Sequence, residues 1–541
     1  METAEPLIAG RKPQDLIRAI DEAVRTGEAR AGWELAEEAV TSGIDEARFF
    51  TYACYHYLAR QQFDLALERA LSAEKRAPDN AEAHNALGLS YWRLGRESDA
   101  LASFDRAIAL NPKFSEPQFS RGCLLEEKGD IAGAVRAFEE AAKLSNKAEP
   151  FAHLASLAVS QGDLAAAKKH AQRTLWLAPH HPVGLLAMAA VEIDEQRYAQ
   201  AERRLSPLID SSVLAPMQQA MALGLMGDLF DATARPDQAF AAYRACKQVF
   251  HSLTAPQGPL LESPWERLDR MERFFRALPK ESFPKGGAIS SPVSKHVFVL
   301  SFPRSGTTLL EQVLKGHPDV EAMEEKDCFS SAIADFIEPA DGLEHLLAAS
   351  DAGLNRYRDE YWRRAREHGA AADRPVFVDK QPFNSILLPV IARLFPQAII
   401  LFAVRDPRDV VFSCFRRRIM MYELASLDGI ARYYDGVMGL SEAYRAALPL
   451  PIHDVRHEAL LADFDGEVSR ICKLIGIERH ADMASFAERM KSAPINTPSA
   501  PQIRGGLNAR SGGQWRRYRG HLADVLAILQ PWVERFGYSA D

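Results

Sequence analysis

One stretch in the second half of the chain combines residue types that hold anions. Residues 297–300 are apolar, and a Pro-Arg-Ser-Gly turn at 303–306 separates them from an amphipathic segment that begins at Thr307. This pattern predicts a buried strand, a tight loop and a helix whose N-terminus faces the loop and favours an anion. An ordinary turn capped by Ser305 or Thr307 is the simpler alternative. The predicted loop donors are the backbone N–H groups of Ser305, Gly306, Thr307 and Thr308.

This loop differs from the loop that binds nucleoside triphosphates. That loop has an opening glycine and a lysine directly after its second glycine, and this chain has neither residue there. Arg304 supplies the cation instead, and a guanidinium fits a pair of sulfate or phosphate oxygens. Residues 303–308, Pro-Arg-Ser-Gly-Thr-Thr, resemble the 5′-phosphosulfate loop of sulfotransferases, in the variant carried by tyrosylprotein sulfotransferases and related bacterial enzymes.

Two more apolar runs end in cationic residues. Residues 376–378 precede Asp379 and Lys380, and residues 398–402 precede Arg405. Short strands that alternate with amphipathic helices predict a P-loop-like α/β domain with a parallel sheet, in which ligands collect at the strand C-termini. Lys380 would then share a sheet edge with the loop. A lysine that pairs with Asp379, or that is solvated, is the alternative.

The resemblance to sulfotransferases implies roles for these cations. Lys380 matches the lysine that steadies the oxygen bridging sulfur and phosphorus. Arg405 with Ser413, eight residues later, resembles the family's 3′-phosphate motif, and Arg417 matches it more loosely. A surface ion-pair cluster, worth little free energy, is the alternative for this segment. Its members would be Asp406, Arg408 and Asp409.

A glutamate pair, Glu324 and Glu325, follows the loop. In tyrosylprotein-like relatives the second glutamate of such a pair lies at the same distance, so the resemblance implies that Glu325 accepts the proton of the acceptor hydroxyl. From chemistry alone a solvated glutamate pair stays open. Arg304 and Lys380 complete the predicted catalytic set, and no metal is expected because side chains supply the cations.

The C-terminal region is basic, although the whole chain has a net charge of −8. Seven Lys/Arg and no Asp/Glu lie from Arg489 to Ala523, among several glycines, and such a loop would close over phosphates. The resemblance aligns part of it with the family's nucleotide-covering loop, and implies that Ser499 and Arg510 bind the donor. Two positions depart from the family pattern. Gln514 replaces a residue that is often basic, and His457 replaces a tyrosine.

The first half of the chain repeats with a period of 34 residues. The clearest copy, residues 80–112, has the small and aromatic residues of a tetratricopeptide repeat, and five further copies surround it. Small residues let paired helices approach, and aromatic residues fill the gaps between pairs. We expect a tetratricopeptide α-solenoid over residues 1–255, a linker with a connecting helix over 256–293, and a sulfotransferase domain over 294–541.

Composition excludes several classes of function. A chain that is 47% hydrophobic and 26% charged is globular, and its acidic balance argues against nucleic-acid binding. No signal peptide or membrane span is evident, so the cytoplasm is the expected location. The six cysteines form no C-x-x-C pair, which favours neither a disulfide framework nor a zinc site.

The sequence therefore predicts a sulfotransferase that moves a sulfuryl group from 3′-phosphoadenylyl sulfate (PAPS) to an acceptor hydroxyl, with a protein tyrosine as one candidate. The repeat array would recruit a protein acceptor, support a homo-oligomer, or serve only as a structural arm. A P-loop kinase-like ATP-dependent phosphotransferase is the alternative enzyme, although the missing lysine counts against it. A non-catalytic repeat scaffold is the alternative outside enzymes.

Overall fold

The computed structural model describes residues 12–209, 214–258, 260–492 and 512–539. It divides into two compact units, Met1–Val191 and Glu192–Asp541. The helices of the first unit are α1 (Pro13–Thr26), α2 (Ala29–Thr41), α3 (Ala47–Ala59), α4 (Phe63–Arg76), α5 (Ala81–Arg93), α6 (Glu97–Leu110), α7 (Ser115–Glu127), α8 (Ile131–Leu144), α9 (Ala148–Gln161) and α10 (Leu164–Leu177), and α11 (Pro182–Asp194) spans the division.

Helix pairs of the first unit pack as the repeat spacing predicts. A Cβ atom added to Gly88 of α5 would lie 2.6 Å from the Phe104 ring of α6, and one added to Gly122 of α7 would lie 2.7 Å from Phe138 of α8. Only glycine permits helices to approach this closely at those positions. Helices α1 and α2 form one more pair, ahead of the copies found in the sequence.

The second unit combines helices with a five-stranded sheet. Within the described residues, no helix has both the length and the apolar character needed to cross a membrane. The strands are β1 (Lys295–Leu300), β2 (Val320–Glu324), β3 (Val376–Lys380), β4 (Ile399–Val404) and β5 (Ile452–Arg456). The helices are α12 (Tyr198–Ile209), α13 (Pro216–Ala232), α14 (Pro236–Thr254), α15 (Pro264–Ala277), α16 (Thr307–Leu314), α17 (Ser330–Phe336), α18 (Gly342–Ala348), α19 (Asp351–Glu367), α20 (Leu388–Leu394), α21 (Pro407–Arg416), α22 (Leu427–Ala447), α23 (His457–Ala462), α24 (Phe464–Ile475), α25 (Phe486–Ser492) and α26 (Ala523–Arg535).

All strand pairs of the sheet are parallel, in the order β2-β3-β1-β4-β5. Side chains alternate between the two faces, so Phe298 and Leu300 enter one hydrophobic core while Val297 and Val299 enter another. Both faces are covered, as expected of a parallel sheet. The structure thus has the predicted fold class, helical repeats followed by an α/β domain. Strands β2 and β5 were not predicted.

Four helices ahead of residue 294, α12 to α15, belong to the second unit. In α13 and α14, Gly227 packs on Tyr243 as the repeat spacing predicts, but α14 also donates a hydrogen bond of 2.8 Å from Lys247 Nζ to the Leu424 carbonyl. Helix α15, the expected connecting helix, buries Leu268 and packs on α22. The compact units therefore divide at residue 191. The sequence analysis expects domain limits at 255 and 293 because it follows the repeat spacing, and that spacing continues into helices that pack on the α/β core.

Candidate functional site

The carboxyl ends of the five strands meet at one sheet edge, where polar and charged residues collect. Along the strand order the edge presents Glu324 of β2, Lys380 of β3, the loop of residues 301–306 after β1, Arg405 after β4 and His457 after β5. The register sets Glu324 opposite Lys380. We call residues 301–306 the anion loop, the β2–β3 end the lysine side, and the β4–β5 end the arginine side.

The anion loop turns sharply into α16. Arg304 has φ of 72° and Gly306 has φ of 98°, a left-handed conformation that is costly for residues other than glycine. A Cβ atom at Gly306 would lie 2.6 Å from His457 Nδ1, so a side chain there would also clash. Gly306 is the N-cap of α16, and no side chain caps this helix. The alternative of a turn capped by Ser305 or Thr307 is therefore wrong.

Hydrogen bonds fix the loop to neighbouring elements. Ser301 Oγ donates to the Ala403 carbonyl of β4, and Ser385 Oγ donates to the Ser301 carbonyl at 3.2 Å. On α21, the Cys414 thiol lies 3.5 Å from the Pro303 carbonyl. The loop is thus held in a fixed shape by its neighbours.

On the arginine side, the residues of the two predicted phosphate motifs touch. Arg304 Nε donates to Ser413 Oγ of α21 at 3.0 Å, and Arg405 Nη1 donates to the Arg304 carbonyl at 3.1 Å. Arg304 and Arg405 are both buried. Burial, reinforced by the neighbouring Arg417 and Arg405, lowers the pKa of Arg304 to about 9. Burial also lowers the pKa of Arg417, which directly follows α21.

His457 lies against this group from the start of α23. Burial, reinforced by the charges of Arg405 and Arg304, lowers its pKa to about 3. The ring is therefore neutral at physiological pH. Its Nε2 atom is buried and has no hydrogen-bond partner among the described residues. A buried polar atom of this kind calls for a partner, and a bound anion with a hydroxyl or protonated oxygen would supply one.

On the lysine side, one buried ammonium meets three carboxylates. Lys380 Nζ lies 2.6 Å from Glu325 Oε1, 3.4 Å from Glu311 Oε2 and 3.7 Å from Glu324 Oε1. The alternatives of a solvated lysine, of a lysine paired with Asp379 and of a solvated glutamate pair are therefore wrong. Asp379 points to the opposite face, where it accepts a hydrogen bond of 2.8 Å from Tyr361 Oη.

The three carboxylates differ in exposure. The side chain of Glu311 is 0% exposed, that of Glu324 26% and that of Glu325 37%. Burial raises the pKa of Glu311 to about 7, with Lys380 opposing the rise. Although burial lowers it, the pKa of Lys380 is raised overall by Glu311, Glu325 and Glu324. Glu325 is thus the most exposed of the three carboxylates, while Glu311 contacts the lysine from the buried side.

The sequence analysis missed Glu311. The available signal was a carboxylate in the short and otherwise largely apolar helix α16, four residues after Thr307. Four residues make about one helical turn, so Thr307 and Glu311 share the face that meets β3. A buried carboxylate at that place requires a cation nearby.

The first turn of α21 binds residues 513–515, which belong to the basic C-terminal region. Asp409 accepts hydrogen bonds from the backbone N–H groups of Gly513 and Trp515, at 2.5 and 3.2 Å. Arg408 pairs with Asp406 at 2.8 Å and stacks 4.0 Å from the Trp515 ring centroid. All three residues of the supposed surface cluster are buried, so that alternative is wrong.

Gln514 has a structural partner. Its Oε1 atom accepts a hydrogen bond of 2.7 Å from Arg416 Nη1, which accounts for an uncharged amide where a basic residue was expected. Ser499 and Arg510, predicted to bind the donor, lie outside the described residues.

Comparisons with known proteins match two parts of the chain. Residues 296–482 match the model of the sulfotransferase family, and residues 55–113 match a model of the tetratricopeptide repeat. The predicted resemblance to tetratricopeptide repeats and to sulfotransferases is therefore confirmed.

Similar proteins include three curated relatives. An uncharacterized protein of Aquifex aeolicus is 25% identical over 253 residues, which are 44% of this chain and 33% of that protein. A putative protein-tyrosine sulfotransferase of Caenorhabditis briggsae is 23% identical over 257 residues, 45% of this chain and 88% of that protein. Protein-tyrosine sulfotransferase 1 of Mus musculus is 32% identical over 132 residues, 23% of this chain and 34% of that protein. This chain thus spans about a third of the length of the first and third relatives.

Proposed function

We propose that this chain, whose residues 296–482 match the sulfotransferase family, transfers a sulfuryl group from PAPS to an acceptor hydroxyl. The observation that carries the proposal is the buried cation group of Arg304 and Arg405, joined through the loop backbone at 3.1 Å. Burial, reinforced by the charges of neighbouring arginines, lowers the pKa values of both Arg304 and His457. A ligand with two separate anionic groups, as in PAPS, would relieve this repulsion.

Residues of the anion loop and the arginine side would hold the donor. The loop N–H groups and Arg304 would bind the 5′-phosphosulfate, and Arg405, Ser413 and Arg417 would bind the 3′-phosphate. Because Ser413 Oγ accepts its hydrogen bond from Arg304, its own hydroxyl hydrogen remains to donate to a phosphate oxygen.

Residues of the lysine side would carry out the transfer. As the acceptor oxygen attacks sulfur, the bond between sulfur and the bridging oxygen breaks, its electron pair stays on the 5′-phosphate, and the hydroxyl proton passes to Glu325. Lys380 and the loop amides would stabilise the negative charge on the leaving phosphate. The contact of 2.6 Å between Lys380 and Glu325 would loosen during transfer, while Glu311 keeps the lysine in place.

A protein tyrosine is the acceptor we propose. One relative is named as a putative protein-tyrosine sulfotransferase and another as protein-tyrosine sulfotransferase 1, and Glu325 would serve as the base for the tyrosine hydroxyl. The helical repeats of the first unit would then recruit the acceptor protein, since such arrays bind peptides along their surface. Mass spectrometry of a tyrosine-containing peptide library incubated with the enzyme and PAPS would identify sulfated products.

Calorimetric titration tests the donor class directly. Adenosine 3′,5′-bisphosphate should bind in the presence of EDTA and, at a hundredfold excess over its Kd, raise the unfolding free energy by about 2.7 kcal/mol. Binding of Mg-ATP but not of the bisphosphate would overturn the proposal in favour of a phosphotransferase.

A further inference from the structure

Three consecutive arginines end α21 and enter the segment after it, and α13 binds two of them. Arg416 Nη2 lies 2.9 Å from Asp231 Oδ2, and Arg418 Nη1 lies 3.5 Å from Asp228 Oδ2. No hydrogen bond or ion pair joins the Arg417 guanidinium to the residues that the structure describes. The three neighbours thus have different surroundings despite their identical chemistry.

The backbone explains this alternation. Arg417 is the C-cap of α21, with φ of −90° and ψ of 147°, which is an extended conformation. Side chains on either side of an extended residue point the same way, and the side chain between them points oppositely. Arg416 and Arg418 therefore face α13 together and pair with its aspartates. Arg417 is close enough to Asp228 for that charge to oppose the fall in its pKa caused by burial, but it forms no ion pair with the described residues of α13. It is also the neighbouring charge that most lowers the pKa of Arg304 in the anion loop.

Asp231 ties more than one element to α13. Its Oδ1 accepts a hydrogen bond of 2.6 Å from Tyr518 Oη and lies 3.0 Å from Arg517 Nη2. Its side chain is only 10% exposed. A buried carboxylate with several donors has a fixed position, and removal of its charge would leave the cations that it pairs with without a counter-charge. Asp231 is therefore a fixed point for the arginines that end α21.

Lys247 of α14 holds the far end of the same segment. Its buried ammonium donates to the Leu424 carbonyl at 2.8 Å, and Asp228 is fixed by a 3.0 Å hydrogen bond from Tyr243 Oη. The chain from Arg416 to Leu424 is thus anchored at both ends by the hairpin of α13 and α14. Nothing comparable is implied by the repeat pattern, which accounts only for packing inside the hairpin.

We propose that Asp228 and Asp231 are positioning residues of the donor site: by holding Arg416 and Arg418 they leave Arg417 as the guanidinium that meets the 3′-phosphate. The inference rests on the proposed function. It makes the last helical hairpin before the α/β domain part of the donor site. A fragment that begins near Ala288 lacks this hairpin and is expected to lose bisphosphate affinity.

The test compares Asp231→Asn with Asp237→Asn in the full chain. Asp237 lies on α14 and contacts His521 at 2.8 Å, so the control removes a charge and an interaction from the same hairpin without touching the arginines. Calorimetry measures Kd for adenosine 3′,5′-bisphosphate and for adenosine 5′-monophosphate. Asp231→Asn should weaken the bisphosphate about tenfold or more and the monophosphate less than about twofold, because Arg417 serves only the 3′-phosphate.

A double variant tests whether Asp231 acts through Arg417. With Arg417→Ala already present, Asp231→Asn should cause no further loss of bisphosphate affinity. Asp228→Asn, which leaves the contacts of Asp231 intact, should show the same selectivity with a smaller loss of thermal stability. Equal losses for both nucleotides, or additive losses in the double variant, would overturn the inference. A wild-type chain that does not distinguish the two nucleotides would instead overturn the proposed function, and the inference with it.

Discussion

At one end of the sheet edge Lys380 is surrounded by three carboxylates, while at the other Arg304 and Arg405 lie beside a neutral histidine and a further arginine. Against the effect of burial, carboxylates raise the pKa of the lysine on the first side, whereas burial together with neighbouring arginines lowers the pKa of Arg304 on the second. Carboxylates thus outnumber the one cation on the lysine side, whereas arginines repel one another on the arginine side, and we expect an added anion to relieve that repulsion.

The difference suggests a division of labour. A lysine held by several carboxylates can exchange one partner for another as charge moves during a reaction. A cation group that holds the 3′-phosphate, away from the bond that breaks, would interact equally with the ground state and the transition state. We expect the lysine side to set the rate of transfer and the arginine side to set donor affinity, and the following changes test that separation.

The largest effect is expected for Lys380→Met. Loss of the cation at the leaving oxygen should lower the single-turnover rate by about 10²- to 10³-fold, and should weaken the bisphosphate, whose 5′-phosphate carries that oxygen, by a smaller factor. Lys315→Met, at an exposed lysine just after α16, is the matched control. A rise in the bisphosphate Kd that exceeds the loss of rate would assign Lys380 to donor binding.

Glu325→Gln should lower kcat by about a hundredfold, because the amide keeps the shape and removes the base. Glu324→Gln is the control, since Glu324 is less exposed and lies farther from Lys380, and its effect should be much smaller. A greater loss from Glu324→Gln would mean that Glu324, and not Glu325, is the base. Steady-state kinetics at saturating PAPS measures both.

Arg405→Ala should weaken binding of adenosine 3′,5′-bisphosphate by about 1.5–3 kcal/mol, the usual range for a hydrogen bond to a charged group. Adenosine 5′-phosphosulfate, which lacks the 3′-phosphate, should bind nearly as before. Calorimetry with both ligands checks this. Equal losses would mean that Arg405 acts through its bond to the Arg304 carbonyl and so shapes the loop.

Asp379→Asn should leave the transfer rate and the donor affinity unchanged and should change only the stability of the fold. Burial raises the pKa of Asp379 from 3.8 to about 7, so its stabilising protonation is complete below pH ~4 and is lost as pH rises through ~7. The variant should therefore gain free energy of unfolding above pH 7, at most about 4 kcal/mol, and gain nothing below pH 4. Urea unfolding at pH 4 and pH 8 measures the gain, and an equal gain at both would contradict the assignment.

The residues at the centre of the site could be predicted because each of them follows a strand with a clear apolar pattern. Lys380 and Arg405 come directly after apolar β-branched runs that are buried on both faces, and parallel topology then brings them to the anion loop. Strands β2 and β5 escaped prediction because they lie at the sheet edges. The charged residues Glu321 of β2 and Asp454 of β5 interrupt their apolar pattern.

The contribution of α13 and α14 could not be predicted for a different reason. Spacing such as that of Gly227 and Tyr243 reports how two helices pack on each other, and it carries no information about the outer face of the hairpin. The aspartates that bind Arg416 and Arg418 are ordinary surface residues by type. Only the structure shows that they face the arginines at the end of α21.

The most direct test of the division of labour measures Glu325→Gln and Arg405→Ala side by side, by rapid-quench transfer from ³⁵S-labelled PAPS over a range of donor concentrations. The account predicts that Glu325→Gln lowers the maximal rate about a hundredfold with an unchanged half-saturating donor concentration. It predicts that Arg405→Ala raises the half-saturating concentration at least about tenfold with nearly the wild-type maximal rate. Two variants that each change both quantities to the same degree would contradict it.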